Sequence, residues 1–259
     1  MIETTIEVSA PPPRSRSWRG RLYAWYLSSD ALKGFTLLSP TLLVMGFTMC
    51  IPFGIMVVMS FWTQIGFEFD TVFTLGNYAE AIEKPVYRAL LLRSLTISSI
   101  CTVATVLVSY PMAYYVAFHV RKRKMAWIIL MTLPFFSSYL LRIFAWKVIL
   151  GYNGVINSGL KGLGLIEQPL AFLLYSPTAV VITLAHAWAA FAILPIYISL
   201  EKIDRSLLEA ATDLGDGPVK RFLGITLPLS MPGVIVASLM IFIPTVGDYV
   251  TPTLVGGPD

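Results

Sequence analysis

Long apolar runs separated by short polar stretches organise this chain. Five runs are long enough to cross a hydrocarbon core of about 30 Å, which takes roughly 20 apolar residues in a helix. The predicted spans cover residues 35–62, 94–118, 125–150, 170–200 and 229–250. Arg142 and Lys147 interrupt the third run, whereas the first, second and fourth contain no Asp, Glu, Lys or Arg. The pattern therefore predicts an all-α polytopic membrane protein with five visible spans.

Prolines recur inside these spans. They are Pro52, Pro111, Pro134, Pro195, Pro232 and Pro244. Each removes a backbone donor and clashes one turn back, which bends a helix. Because transporters use such bends to line cavities, we expect proline-bent transmembrane helices.

Composition agrees with the membrane assignment and narrows the chemistry. The chain is 56% hydrophobic and 13% charged, with a mean hydropathy of +0.72, whereas about a quarter of the residues of a soluble protein are charged. The net charge of +4 is explained by loops, and no nucleic acid is implied. Cys50 and Cys101 both fall in predicted spans, so neither a disulfide framework nor a zinc site is expected.

The basic residues predict the orientation. Thirteen of the nineteen Lys and Arg residues lie in the tail 1–33, the connection 121–124 or the segment 202–221, whereas the loops 68–93 and 151–168 hold four. Because Lys and Arg are retained on the cytoplasmic side, the N-terminus is predicted to be cytoplasmic. The interpretation is a cytoplasmic basic tail, 1–33, that either only determines the topology or also lies on anionic membrane lipid, and a transmembrane domain, 34–259.

The sequence shows no signature of bond chemistry. It lacks a phosphate-binding GxxxxGK[ST] loop, HExxH, GxSxG and a paired-carboxylate site in a span. His186 is isolated in the fourth span, where a packed or hydrogen-bonded side chain is the usual role. We therefore predict no catalytic residue, no metal and no cofactor bound by this chain, and an energy source in another polypeptide.

A polar insert, EAATDLGDGPVKRFLGITLP, separates the last two spans. Ser206 and Glu209 form an S-x-x-E capping box that predicts a helix of about two turns, and Gly215 supplies a left-handed residue that ends it. Pro218 is suited to start a second short helix through Phe222. So short a helix is marginal alone in water, so the insert is expected to need a partner surface.

The insert carries a specific resemblance. Glu209, Ala210 and Ala211 are followed at matching spacing by Gly215 and then by Ile225, Leu227 and Pro228, and this resembles the EAA loop signature of permease subunits of bacterial ABC importers. The spermidine and putrescine branch is the most similar, through SYPMAYYVA, LLRIFAWKVILGYNGVIN and GDYVTPTLVGGPD. The similarity runs from about residue 35 to the last residue.

The resemblance implies a fold and a set of partners. It implies the type I permease fold of ABC importers, whose core has six spans; five are seen here, and a sixth is expected but absent from these 259 residues. It implies a bacterial inner-membrane location, a second permease subunit, a periplasmic substrate-binding protein and a dimer of ATPase subunits that binds ATP and Mg. The loop 201–228 would be the coupling loop, which contacts the ATPase through Glu209, Ala210, Ala211, Asp213 and Gly215.

Six residues are candidates for the substrate path. They are Asp248, Tyr249, Arg142, Trp146, Trp188 and Tyr115. A carboxylate beside an aromatic ring, as at Asp248 and Tyr249, suits a cationic amine, although a solvated loop aspartate explains Asp248 equally well. Arg142 would repel a polyamine and instead pairs with a carboxylate, contacts the binding protein or extends outward with Lys147. The aromatic residues are also explained by packing or interfacial anchoring.

Other functions stay open at this point. Within the importer class, iron, thiosulfate, amino-acid derivatives and opines are alternative solutes. An ion-coupled secondary transporter or channel and an intramembrane enzyme using His186 are alternatives of other classes, and neither explains the polar insert. The segment 151–169, with apolar positions broken by glycines, predicts a short interfacial helix on the outer side.

Overall fold

The computed structural model describes residues 18, 29–66 and 68–257, in two units that divide after Lys84. The predicted basic tail, 1–33, lies outside the described residues apart from Trp18 and the segment from Ser29 onward. Apart from one small hairpin, the regular structure of the described residues is helical.

The first unit is one long helix followed by a hairpin and a short helix. Its elements are α1 (Asp30–Ser60), β1 (Thr63–Ile65), β2 (Glu68–Asp70) and α2 (Gly76–Glu83). The strands pair antiparallel with Gln64 opposite Phe69. The Asn77 amide donates to the carbonyls of Ser60 and Trp62 at 2.9 and 2.8 Å, which ties α2 to the end of α1. No strand was predicted in this loop.

The second unit contains the remaining helices. They are α3 (Pro85–Phe118), α4 (Lys124–Thr132) with a 3-10 extension (Leu133–Phe136), α5 (Tyr139–Leu150), α6 (Val155–Gly162), α7 (Pro177–Glu201), α8 (Arg205–Asp213), α9 (Pro218–Arg221), a π-helical turn (Phe222–Thr226), α10 (Leu227–Val246) and α11 (Val250–Val255). A further 3-10 turn covers Ala171–Leu173. Within the described residues there are five candidate membrane spans, in agreement with the predicted number, and one of them, Tyr139–Gly162, combines α5 and α6. The segment predicted to form an interfacial helix contains α6, and the interfacial position stays a prediction.

The third predicted span, 125–150, is wrong as a single helix. The chain leaves helical geometry at Ser137 (ψ 155°) and Ser138 (ψ 137°), and α5 begins at Tyr139. Pro134 has no amide hydrogen to donate, and the turn before the break, Leu133–Phe136, is a 3-10 helix. Apolar length does not reveal this break because both halves are predominantly apolar. The second span also begins earlier than predicted, at Pro85 rather than 94.

The core of the second unit lies where α3, α7 and α10 pack together. Its buried members include Cys101 and Ala113 from α3, Ile193 from α7 and Ile241 from α10. Close approach of α10 to α7 depends on Gly233, because a Cβ there would overlap the Pro195 carbonyl oxygen and lie 2.5 Å from Ser199 Oγ. Small residues therefore allow these two helices to pack closely.

Candidate functional site

The polar insert folds as a helical elbow, residues 204–221, between α7 and α10. Its first helix, α8, begins at Asp204, whose Oδ1 accepts a hydrogen bond from the Ser206 amide at 3.0 Å. The predicted capping box is thus wrong in its cap: Asp204 is the N-cap, and Ser206 lies inside the first turn. Donation from the Ser206 amide lowers the pKa of the Asp204 carboxyl below its ordinary value.

The end of α8 agrees with the prediction. Gly215 has a φ of +86°, in the left-handed region. Its amide donates to the Thr212 carbonyl, and the Asp216 amide donates to the Ala211 carbonyl, both at 2.9 Å. These two bonds form a Schellman motif and satisfy carbonyls that the helix end would otherwise leave unpaired. Gly215 thereby sets the direction in which the chain leaves α8.

The elbow presents small and charged side chains to its surroundings. Of the five residues predicted to contact an ATPase, Ala211 is buried, whereas Glu209, Ala210, Asp213 and Gly215 are exposed. Leu214 is 84% exposed although it is apolar. A second contact steadies the elbow, since Arg221 donates to the Thr212 hydroxyl. The result is a short, internally braced helix with an apolar and acidic surface.

Arg142 lies beside the break between α4 and α5 and is 8% exposed. Its Nη2 donates to the carbonyls of Phe135 and Ser137 at 3.3 and 3.1 Å, and its Nη1 donates to the Ala187 carbonyl at 2.9 Å. None of the alternatives considered for Arg142 from sequence includes these partners. The guanidinium therefore satisfies backbone carbonyls freed by the break and connects the break to α7.

Asp248 follows α10 and accepts hydrogen bonds from the first amides of α11, whose N-cap residue is Tyr249. Its Oδ1 accepts from the amides of Val250 and Thr251 at 3.0 and 3.4 Å, and its Oδ2 accepts from the Tyr139 hydroxyl at 2.7 Å. Tyr139 also meets the Thr251 hydroxyl at 2.7 Å. The carboxylate is thus held by a helix N-terminus and by α5, not left as a solvated loop residue.

Three of the six path candidates meet at one cavity. Arg142, Trp188 and Asp248 line a space of about 340 Å³ together with Phe135, Tyr139, Ala187 and Pro244. We call this space the outer polar cavity because Arg142 and Asp248 contribute to its lining, although its other lining residues are mostly apolar. Arg142 Nε and Trp188 Nε1 are buried without a hydrogen-bond partner. Sequence reasoning missed Tyr139, although its position one turn before Arg142 was a signal that both share a helix face.

The other three candidates lie elsewhere. Trp146 packs edge-on to His186, with ring centroids 5.4 Å apart, beside a larger apolar cavity of about 760 Å³. Tyr115 stacks on His119 at 5.5 Å, and Tyr249 is 78% exposed beside a third cavity. Over the described residues, no group of three or more His, Cys, Asp and Glu side chains is placed to hold a metal ion.

Comparison with protein families identifies the chain. Residues 33–259 match the model described as the binding-protein-dependent transport system inner membrane component. The chain belongs to this family. It is accordingly a multi-pass inner-membrane permease of the ABC importer class.

Curated relatives agree with this assignment. The spermidine/putrescine transport system permease protein PotB of Escherichia coli K12 is 37% identical over 72% of this chain and 67% of its own length. The Haemophilus influenzae PotB is 35% identical over 82% and 73% of the two chains. The E. coli inner membrane ABC transporter permease protein YdcU is 31% identical over 94% and 82%.

Solved structures agree on the fold. A bacterial ABC transporter involved in the import of the acidic polysaccharide alginate matches with a TM-score of 0.62 at 18% identity, covering 89% of this chain and 82% of that one. The same kind of transporter in complex with an alginate pentasaccharide-bound periplasmic protein matches with a TM-score of 0.59. The helical fold of this chain is therefore shared by ABC transporter proteins of low sequence identity.

Proposed function

We propose that this chain is the membrane-spanning subunit of an ATP-driven importer that carries a polyamine, such as spermidine or putrescine, or a related amine, inward across the membrane. The observation that carries this proposal is the elbow: a two-turn helix bounded by the Asp204 cap and the Gly215 stop, set between two spans. The amine class is supported by the similarity to PotB over most of the chain.

The elbow is proposed as the coupling contact. In this proposal the N-terminus and the loop 201–228 are cytoplasmic, and two ATPase subunits, which bind ATP and Mg, hold the exposed surface of α8. The small side chain of Ala210 permits close approach, whereas Ala211 is buried and supports α8 from within. Glu209 is available to pair with a basic group because Asp204 performs the capping. A second permease subunit completes the pathway, and a periplasmic binding protein delivers the solute. The chain catalyses no bond chemistry.

The outer polar cavity is proposed as part of the path. Asp248 brings negative charge to its wall, and Trp188 brings an aromatic ring, both favourable to an amine. The terminal nitrogens of Arg142 donate to three carbonyls, two at the helix break and one, Ala187, in α7, so this part of the guanidinium is held by the protein itself. Tyr115, Trp146 and Tyr249 are not among the lining residues of this cavity and stay candidates from sequence.

Reconstitution tests the proposal. The chain is placed in proteoliposomes with its partner permease, the ATPase and the binding protein, and ligand-stimulated ATP hydrolysis and radiolabelled uptake are measured for spermidine and putrescine. Iron, thiosulfate, amino-acid derivatives and opines serve as competitors. We expect uptake of an amine that requires both ATP and the binding protein.

Two outcomes would overturn parts of the proposal. Stimulation by one of the competitors and not by amines would change the solute but keep the importer. Uptake that continues without ATPase and follows an ion gradient would instead favour a secondary transporter.

A variant of the exposed elbow surface, Glu209→Lys, should reduce uptake while leaving ligand capture by the isolated binding protein unchanged.

A further inference from the structure

A group of polar contacts joins the base of the elbow to the ends of two spans. Lys124 Nζ lies 2.7 and 2.8 Å from the two carboxylate oxygens of Glu201 and donates to the Ala117 carbonyl at 2.9 Å. Arg205 Nη2 donates to the same carbonyl at 3.2 Å. We call these four residues, Ala117, Lys124, Glu201 and Arg205, the base junction.

Each member of the base junction belongs to a different segment. Ala117 lies in the last turn of α3, Lys124 is the first residue of α4, Glu201 is the last residue of α7 and Arg205 is the first residue of α8. The last carbonyls of a helix have no intrahelical partner and carry partial negative charge. A carbonyl oxygen has two lone pairs, so the Ala117 carbonyl can accept from both cations.

The hydrogen-bond donors of Lys124 in the base junction are all paired. The Lys124 ammonium has three donors, and each has a partner among the three oxygens it contacts. The pair is partly shielded, with side-chain exposures of 23% for Lys124 and 41% for Glu201. Ala117 and the neighbouring Leu200 and Ile203 belong to the buried core. The elbow is thus connected to the end of α3 by the hydrogen bond from Arg205, and the bonds of Lys124 connect the same helix end to α4 and α7.

The backbone entering the base junction is strained. Arg123 precedes Lys124 and has a φ of 59°, in the left-handed region that residues other than glycine rarely adopt. Such a conformation persists when surrounding contacts determine it, and the three bonds of Lys124 supply those contacts. The strained backbone of Arg123 and the ion pair of Lys124 indicate that the fold holds the start of α4 in one conformation.

We propose that the base junction is the link through which displacement of α8 is transmitted to α3, α4 and α7, with Lys124, Glu201 and Arg205 as positioning residues. This inference rests on the proposed function. Without the link, motion of the elbow is absorbed by the turn 202–204. With the link, α8 and the three helix ends move as one body, so ATPase closure moves the spans.

The test uses the reconstituted complex with Lys124→Met, Glu201→Gln and their double variant. We expect the amount of ligand imported per ATP hydrolysed to fall about two- to fivefold in each single variant, the range expected for a partly exposed ion pair. The double variant should be no worse than either single one, because both remove the same pair. Lys124→Arg, which keeps the cation, should retain most of the coupling.

Matched controls come from the same loops. Lys122→Met and Lys202→Met remove exposed cations close to the junction residues and should leave the ratio unchanged. The inference would be overturned if the single variants imported as much ligand per ATP hydrolysed as the wild type. It would also be overturned if the losses of the two single variants added in the double variant. Copurification with the ATPase reports assembly, and Glu201→Gln, which nearly preserves side-chain shape, covers the case in which Lys124→Met does not assemble.

A second readout separates this inference from the proposed function. Amide hydrogen exchange of residues 206–214 should become faster in Arg205→Met, because Arg205 makes the hydrogen bond from α8 to the Ala117 carbonyl. Unchanged exchange would overturn the anchoring role whatever the complex transports. If the wild-type complex shows no ATP-dependent uptake, the proposed function fails, and the exchange result still decides whether the base junction holds α8.

Discussion

At the scale of single residues, Arg142 shows how this chain tolerates a charge among apolar helices. Three carbonyls surround the guanidinium, and two of them, from Phe135 and Ser137, belong to the helix break. Irregular backbone at membrane depth requires its polar groups to be satisfied within the protein. The break therefore supplies acceptors for the buried Arg142, and Arg142 satisfies the carbonyls that the break leaves unpaired.

Arg142→Met should lower the free energy of unfolding by about 1–3 kcal/mol, because the carbonyls lose their charged donor. Arg142→Lys should lower the free energy of unfolding less than Arg142→Met but still measurably, since one ammonium cannot reproduce the fork of a guanidinium. Thermal unfolding of the detergent-purified protein is the measurement. Lys147→Met, on the same helix, loses only a contact 5.6 Å from the Tyr175 ring and should cost less than about 1 kcal/mol. Equal losses at both positions would contradict this reading.

Gly215 is a second residue whose backbone decides its identity. With a φ of +86°, Gly215→Val should cost about 1–2 kcal/mol locally and reduce ATP-dependent uptake, because α8 would end in another direction. Gly215→Asn should be tolerated better. The neighbouring Gly217 has a φ of −68° and open space around its Cβ position, so Gly217→Ala is the control and should transport normally. Normal uptake by the Gly215→Val variant would count against the coupling role.

At the scale of elements, α8 depends on its first cap. Asp204→Ala should accelerate amide exchange at Ser206 and the rest of the first turn, whereas Asp204→Asn should preserve it. Ser206→Ala should have little effect, which separates the observed cap from the predicted box. If Ser206→Ala were the more damaging change, the assignment of Asp204 as the N-cap would be wrong.

The cap also predicts a pH dependence. The folded-state pKa of Asp204 lies below its ordinary value of 3.8 because the Ser206 amide donates to the carboxylate. The capping contribution is therefore fully present above the ordinary value and is lost as the pH falls through the lowered one. Exchange at the Ser206 amide, corrected for its intrinsic pH dependence, should rise only in that acidic range and should be insensitive to pH near neutrality.

The contact of α7 with α10 depends on a glycine opposite a proline. Gly233→Ala would place a methyl group against the Pro195 carbonyl and Ser199 and should cost about 1–3 kcal/mol through overpacking. Gly224→Ala, in the π-helical turn with open space at its Cβ position, is the matched control. A thermal midpoint unchanged in Gly233→Ala would show that these helices are not as close as described.

At the scale of the whole molecule, α10 connects the two proposed working regions. It follows the elbow through the π-helical turn and ends at Val246, next to Asp248. Twenty residues at 1.5 Å each span about 30 Å, the thickness of a hydrocarbon core. The elbow and the outer polar cavity therefore lie near opposite ends of one membrane-spanning helix.

This separation gives a prediction about sidedness. In a background with Cys50 and Cys101 replaced by Ser, Asp213→Cys should react with an impermeant maleimide only in inverted membrane vesicles. Lys161→Cys, on α6, should react in right-side-out vesicles. Labelling of both from the same side, or the reverse pattern, would contradict the proposed orientation with the elbow in the cytoplasm.

The local features of this protein were accessible from sequence. Apolar length predicted the number of candidate spans, although not the bounds of the third, and the glycine at 215 predicted a left-handed helix end, because both depend on properties of neighbouring residues. The elbow's motif indicated the family for the same reason, since its spacing is read along the chain. The cap was misplaced by two residues because Asp204 and Ser206 are both good N-caps, and local pattern does not rank them.

Tertiary structure alone decided which polar groups meet. The partners of Arg142, the contact of Tyr139 with Asp248 and the base junction join residues from 5 to 109 positions apart. The break at Ser137 was hidden because apolar composition does not distinguish one long helix from two short ones. A buried donor takes whichever acceptor the packed helices bring within about 3 Å. That choice depends on how the helices approach one another, which hydrophobic pattern and backbone propensity do not specify.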